Sequence, residues 1–222
     1  MIDLHSHCIL SDGALIPAEH LRRVENMGYE AIAITDHGDS ANLDHIIPRL
    51  IKAAEELNPF CSTLLLPGIE LTHIPPALIG TLTDRARKLG ALLVVVHGET
   101  IVEPVKKGTN RAALEAGVDI LAHPGFITKE EASLAAEKGI FLEISGRKGH
   151  SLTNGHVAKV AENTGAKLAV NSDAHSPEDF LSREMARKIA LGAGLSENHY
   201  KKIKKDMQNL VEKIRIQKSL NL

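Results

Sequence analysis

Seven short aliphatic runs, each separated from the next by a longer segment of helical period, limit the folds open to this chain more than any other feature. The runs are Met1 to His5, Glu30 to Thr35, Leu64 to Glu70, Leu92 to His97, Val118 to His123, Ile140 to Ser145 and Ala166 to Asn171. None alternates polar with apolar residues, so they read as parallel strands covered on both faces. The intervening segments carry helix punctuation. Pro17 opens one that ends near Gly28, Pro76 opens one that ends near Gly90, and Thr128 opens one ending near Gly139, with Glu131 placed to complete a capping box. Repeated strand–helix units predict parallel pairing, α/β barrels routinely run to this size as one unit, and residues 1–222 read as one domain with no linker inside it. From Ser196 onward one long helix, about 196–219, sets Ile203, Met207, Leu210, Val211 and Ile214 on a single apolar stripe. It is expected to pack on the barrel exterior, with Lys201, Lys202, Lys204, Lys205, Lys213, Arg215 and Lys218 as its solvated face.

Composition excludes several roles. A net charge of −2, no Trp, two Tyr and four Phe argue against a general nucleic-acid or acidic-membrane binder. The longest apolar run, Ala91 to Val96, is far short of a membrane span. Only Cys8 and Cys61 are present, so no disulfide framework is expected. Asp3, His5 and His7 leave no room for a signal peptide, and a cytoplasmic location is the expectation.

The informative residues sit at the strand ends: Asp3, His5 and His7 after the first, Asp36 and His37 after the second, then Glu70, His97, His123, and finally Asp173 with His175. In a closed parallel barrel these ends converge on the face where barrel enzymes place their chemistry. His5 and His7 are two apart on an extended segment and project to one side, as do Asp173 and His175, while Cys8 should point away. A single His-x-His is weak evidence, but five strand ends carrying His point jointly to a metal site.

DLHSH followed by SDG, then TDH, GIE, VVVH, AHP and NSDAH, in order over positions 3 to 175, resembles the signature of the PHP (polymerase and histidinol phosphatase) metallohydrolases. The resemblance implies a distorted seven-stranded (β/α) barrel with a trinuclear centre of divalent ions. It implies one ion on His5, His7, Glu70 and Asp173, a second on Glu70, His97 and His123, and a third on Asp12, His37 and His175. Some relatives have His where this chain has Asp12. Six imidazoles and three carboxylates without thiolate suit Zn²⁺, Mn²⁺ or Fe²⁺, singly or mixed. Three such ions would leave a surplus of three positive charges over the carboxylates of Asp12, Glu70 and Asp173. That surplus favours hydroxide between two ions, attacking a phosphate ester in line.

The expected substrate is a small phosphorylated metabolite such as histidinol phosphate, with Glu70 and Asp173 central to catalysis. Nucleotides or oligonucleotides are alternative substrates of the same family. Arg147, after the sixth strand, is a candidate bidentate phosphate ligand; His150 either assists it or protonates the leaving group, and His73 borders the pocket. Lys106 and Lys107 lie between Gly98 and Gly108 in a segment that could cover the site, while His20, His45, His156 and His199 fall in helical patterns and read as packing or surface residues. An amidohydrolase would leave Asp12 and His37 unexplained and needs a bridging Lys that no strand offers. A non-catalytic protein- or RNA-binding barrel would not need the nine occupied ligand positions.

Overall fold

The computed structural model describes the backbone of residues 1–220 and side chains to residue 216; Lys218 lies outside the described side chains. Eight parallel strands form its sheet: β1 (Ile2–Asp3), β2 (Ala31–Ile34), β3 (His37–Gly38), β4 (Leu64–Leu71), β5 (Leu93–His97), β6 (Ile120–Ala122), β7 (Phe141–Ser145) and β8 (Lys167–Asn171). Seven run in the order β1-β2-β4-β5-β6-β7-β8, matching the seven aliphatic runs, and the two-residue β3 adds to β4 beyond the end of β2. Residues 1–220 form this α/β barrel without a second sheet among the described residues.

The barrel closes where the chain has left regular strand. Ser6 bridges Ala174 in parallel, His7 N donates to Ala174 O at 2.8 Å, and Asp173 N donates to His5 O at 3.0 Å. Just below, Leu4 N donates to Asn171 Oδ1 at 2.9 Å, and Ser172 N donates to both oxygens of Asp3 at 3.2 and 3.1 Å. Closure is thus made by the same two segments that carry the first and last clusters of histidine and aspartate.

Helices α1 (Pro17–Asn26), α2 (Leu43–Leu57), α3 (Pro76–Lys88), α4 (Thr109–Ala116), α5 (Lys129–Lys138), α6 (Asn154–Thr164) and α7 (Arg183–Gly192) surround the strands. The signals read from the sequence act locally. Pro17 and Pro76 occupy first-turn positions, and Thr128 and Glu131 form both hydrogen bonds of a capping box at the start of α5. Helix α8 (Glu197–Leu220) lies along β8 and β1. Its Ile203, Met207, Val211 and Ile214 are buried, Leu210 is partly so, and Lys201, Lys202, Lys204, Lys205, Lys213 and Arg215 are exposed. No described helix is long and apolar enough to cross a membrane.

Two glycines let the strand-end loops pass close to one another. A Cβ on Gly98 would meet the Ala122 carbonyl and lie 2.8 Å from Pro124 Cα, and one on Gly125, whose φ is +61°, would run into the Glu99 carbonyl. Gly80, exposed in α3, has open space around it. Gly98→Ala should therefore lower the unfolding free energy measured by denaturant titration, by about 2 kcal/mol or more. Gly80→Ala should raise it by about 0.5–1 kcal/mol, by improving helix propensity. Equal effects of the two substitutions would contradict this packing.

Candidate metal centre

Parallel strands point their C-terminal ends one way, so residues separated by up to 170 positions meet at one mouth. His5 and His7 follow β1, His37 begins β3, Glu70 lies on β4, His97 ends β5, His123 follows β6, and Asp173 and His175 follow β8. Asp12 reaches in from the loop before α1. His5, His7, Glu70, His97, His123 and Asp173 are buried, whereas the Asp12 carboxylate remains largely exposed at the rim.

The Glu70 carboxylate is at the middle. One oxygen lies 3.4 Å from His5 Nε2 and 3.7 Å from His123 Nε2; the other lies 2.6 Å from His37 Nδ1 and 3.9 Å from His7 Nε2. Asp173 faces the same imidazoles from across the pocket, 3.2 Å from His7 Nε2 and 3.7 Å from both His5 and His123 Nε2. Asp12 Oδ1 sits 3.3 Å from His175 Nε2 and 3.5 Å from His37 Nε2. All nine residues singled out from the sequence face this mouth. His97 is joined to the rest through His123, the rings being 4.4 Å apart, while His7 stacks on His175 at 4.1 Å and so links the rim to the centre.

Burial on this scale requires support that the strand-end pattern does not display. Glu143, fully buried on β7, accepts from His5 Nδ1 at 2.8 Å, from Asn171 Nδ2 at 2.9 Å and from His123 N at 3.1 Å. The bond to Nδ1 turns His5 Nε2 toward Glu70, the usual carboxylate–histidine support of a ligating imidazole. Asp36, also fully buried, accepts from Cys8 N and Sγ and from Ser11 N and Oγ, so Cys8 points away from the cluster and the loop carrying Asp12 is held down. Residues His123 (φ 27°), Asp173 (φ 54°) and His73 (φ 54°) adopt left-handed backbone, which costs a non-glycine residue about 1–3 kcal/mol and clusters at functional sites.

The electrostatics describe buried carboxylates whose counter-charge, besides Arg147 at the rim, falls to the imidazoles themselves. Burial alone would lower the His5 pKa, but Glu143, Asp173 and Glu70 together raise it well above the imidazole range. Burial opposes protonation of His37 as well, yet its bonds to Asp12 and Glu70 push it up to about 10. Burial, together with Glu70 and Glu143, drives Asp173 well upward. Desolvation holds His7 and His123 well below the ordinary range, helped by neighbouring imidazoles. Glu70 Oε1 is buried with no hydrogen-bond donor, and the imidazole nitrogens around it approach one another, His5 Nε2 to His7 Nε2 at 3.2 Å. A buried carboxylate oxygen without a donor, facing imidazole nitrogens, fits divalent cations of the Zn²⁺, Mn²⁺ or Fe²⁺ type.

The flanking residues fall in different places. Arg147 lies at the rim, its Nη1 3.2 Å from Asp173 O and 2.8 Å from His175 Nδ1 and its Nε 3.8 Å from Asp173 Oδ2. His150 is buried, stacks on His123 at 4.0 Å and meets the Thr100 hydroxyl at 2.8 Å. Burial pushes its pKa down to about 4, so it is a neutral hydrogen-bonding group at pH 7. His73 is half exposed and pairs with Glu103 at 3.1 Å. His20 packs on Phe180 and meets the Ser6 hydroxyl at 3.1 Å, His156 bonds Ile127 O, and His199 pairs with Glu162.

Two site residues were not singled out from the sequence. Glu143 had a signal, since a lone charge within an otherwise aliphatic strand must find a buried partner. Glu103 had none, because it stands in an irregular loop six residues after His97.

In the metal-free protein His5, His37 and Asp173 all hold protons more tightly than they would in the unfolded chain. A group whose pKa is raised by folding stabilises the fold below its unfolded value and ceases to do so as pH passes the folded value. The chelator-treated protein should therefore lose thermal stability between about pH 7 and 10, and cation-loaded protein should lose much less. Proton release on metal addition at pH 7, measured by calorimetry in buffers of differing ionisation enthalpy, checks the same linkage. Identical pH profiles with and without metal would count against it.

Residues 3–150 match the family model described as the PHP domain. The chain is 50% identical over 196 residues to an uncharacterized protein of Methanocaldococcus jannaschii, with 87% of this chain and 90% of that one covered. It is 29% identical over 233 residues to a Thermoanaerobacter protein described as a probable phosphatase, covering 89% and 88%. Among solved structures, histidinol phosphate phosphatase from Lactococcus lactis, complexed with zinc, L-histidinol and phosphate, superimposes with a TM-score of 0.60 at 18% identity, covering 88% of this chain and 94% of that one. A chain of archaeal ribonuclease P with mature tRNA gives a TM-score of 0.71 at 16% identity, covering 96% and 91%. At such identities the two structures share the fold alone. The match to the family model, extending over well more than half of the sequence, shows that this chain belongs to the PHP domain family.

Proposed function

We propose that the protein hydrolyses a small phosphomonoester, of the kind histidinol phosphate exemplifies, at the mouth of the barrel. As a PHP-family chain with a relative described as a probable phosphatase, it is a metal-dependent phosphoesterase. The observation that carries the reading is the buried Glu70 carboxylate, ringed by the imidazoles of His5, His7, His37 and His123, whose Oε1 faces His5 and His123 without a hydrogen-bond donor. His5, His7, Glu70 and Asp173 would hold one cation, Glu70, His97 and His123 a second, and Asp12, His37 and His175 a third. Bound there, such cations supply Lewis acidity, ionising water near neutral pH and neutralising phosphoryl charge.

The chain's own groups then divide the work. Glu143 keeps the His5 ring oriented through Nδ1, so that Nε2 stays directed into the site. Arg147, partly exposed beside Asp173 and His175, would bind two phosphate oxygens as they enter. His150, neutral and wedged between Thr100 and His123, is suited to a hydrogen bond with the ester rather than to delivering a proton. The mouth is lined by imidazoles and carboxylates, and the chain has no Trp, two Tyr and four Phe, which favours a compact phosphorylated molecule over a polymer.

Turnover of an aryl phosphate, followed by a panel of phosphorylated metabolites, tests the reading directly. Activity should vanish on chelation and return with Zn²⁺, Mn²⁺ or Fe²⁺. Glu70→Gln and Asp173→Asn should each lower kcat by about 100-fold or more while the fold persists. Arg147→Ala should chiefly raise KM, by about tenfold or more, the loss of a charge-assisted hydrogen bond. Undiminished turnover after removal of all metal, or salt-sensitive RNA binding in place of hydrolysis, would overturn the reading.

A further inference from the structure

The segment Gly98 to Gly108 is a loop fastened at both ends. The Glu99 carboxylate accepts from Gly108 N at 2.9 Å and Asn110 N at 3.0 Å, at the start of α4. Asn110 in turn accepts from Glu99 N and donates to Pro124 O, and Thr100 meets His150 Nδ1. Between these anchors the loop turns inward and presents Glu103. Its Oε2 lies 3.1 Å from His97 Nε2 and 3.1 Å from His73 Nε2, and its Oε1 lies 3.4 Å from His150 Nε2.

We propose that Glu103 and His73 join His97 as ligands of the cation assigned to Glu70, His97 and His123, at the outer edge of the centre, so that the 98–108 loop contributes a metal ligand of its own. The inference rests on the metal-dependent reading above and adds to it two residues outside the nine. Three observations carry it. Donor atoms of His73, His97 and Glu103 lie within 4.8 Å of one another. At metal–ligand bonds of about 2.0–2.2 Å, two donors on one tetrahedral ion stand roughly 3.3–3.5 Å apart, close to the spacings found here. The carboxylate is turned toward three imidazoles, and among the described residues no lysine or arginine pairs with it, although Lys106 and Lys107 follow in the same loop.

His73 supports the assignment from the opposite side. It leaves β4 three residues after Glu70 in left-handed backbone, and its ring stands 4.8 Å from that of His97. Its Nε2 meets Glu103 Oε2 at 3.1 Å, so the ring faces the same loop. The cation taken would be a divalent ion accepting nitrogen and oxygen ligands, with Zn²⁺ and Mn²⁺ as the practical probes. Because His73 and Glu103 are partly exposed, this ion should exchange more readily than the one on His5, His7, Glu70 and Asp173, whose ligands are all buried.

The test is metal content rather than rate. Full-length wild type, Glu103→Gln and His73→Ala are loaded with Zn²⁺, dialysed against graded chelator and analysed by elemental mass spectrometry, with Mn²⁺ binding followed in parallel by electron paramagnetic resonance. Both variants should lose one bound ion at least tenfold more easily than wild type, while the remaining ions and the circular dichroism spectrum are retained. Unchanged content and affinity in both variants, in a wild type that does bind metal, would overturn this inference and leave the phosphoesterase reading standing. A wild type that binds no divalent metal would overturn both.

Discussion

Glu143 holds three segments at once: through its two oxygens it ties the His5 ring, the Asn171 side chain and the His123 backbone. Beside it, the backbone bonds between residues 5–7 and 173–174 and the bonds of Asp3 to Ser172 close the barrel. Remove this seam and the first and last strands no longer place His5, His7, Asp173 and His175 in one pocket. The imidazoles and carboxylates would then be ordinary polar groups that burial penalises. Fold and site are therefore not separable here, since the same short segments both close the cylinder and supply its polar contents.

The cost of that arrangement is visible. Glu70 and Asp173 sit in a buried mouth with Arg147 at the rim of Asp173, imidazole nitrogens face one another, and two of the central residues, His123 and Asp173, occupy left-handed backbone. Such features persist when the surrounding structure fixes them, and they make most sense where cations supply the missing charge. Protonation of His5 and His37 is the substitute available to the metal-free chain, which is why acidity and metal should compete for the same cluster.

Much of this was legible in the residues themselves. Short aliphatic runs ending in histidine or a carboxylate announced parallel strands and a shared mouth, because strand direction leaves no other place for those ends. The capping box at Thr128 and the apolar stripe from Ile203 to Ile214 were equally local, set by spacing alone. What spacing could not convey was contact across the barrel. β3, two residues long, carries no periodicity, and Glu143 looks like any strand residue until His5 and Asn171 are seen against it. Glu103 is illegible for a different reason: a loop has no period, so its inward turn depends on the Glu99 and Asn110 bonds that anchor it. The neutrality of His150 follows from burial under Thr100 and His123, which no linear pattern encodes.

The shared fold of a ribonuclease P chain shows that this barrel is also used within an RNA–protein assembly, so architecture alone does not decide between catalysis and scaffolding. The cluster around Glu70 is what separates the two. Crystals of the protein grown with Mn²⁺ or Zn²⁺, with diffraction recorded on both sides of the metal absorption edge, examine that cluster atom by atom. The account predicts anomalous peaks within bonding distance of Glu70 and the His5, His7, His97 and His123 nitrogens, with a further one among Asp12, His37 and His175. A well-ordered map with no anomalous density among these side chains would contradict it.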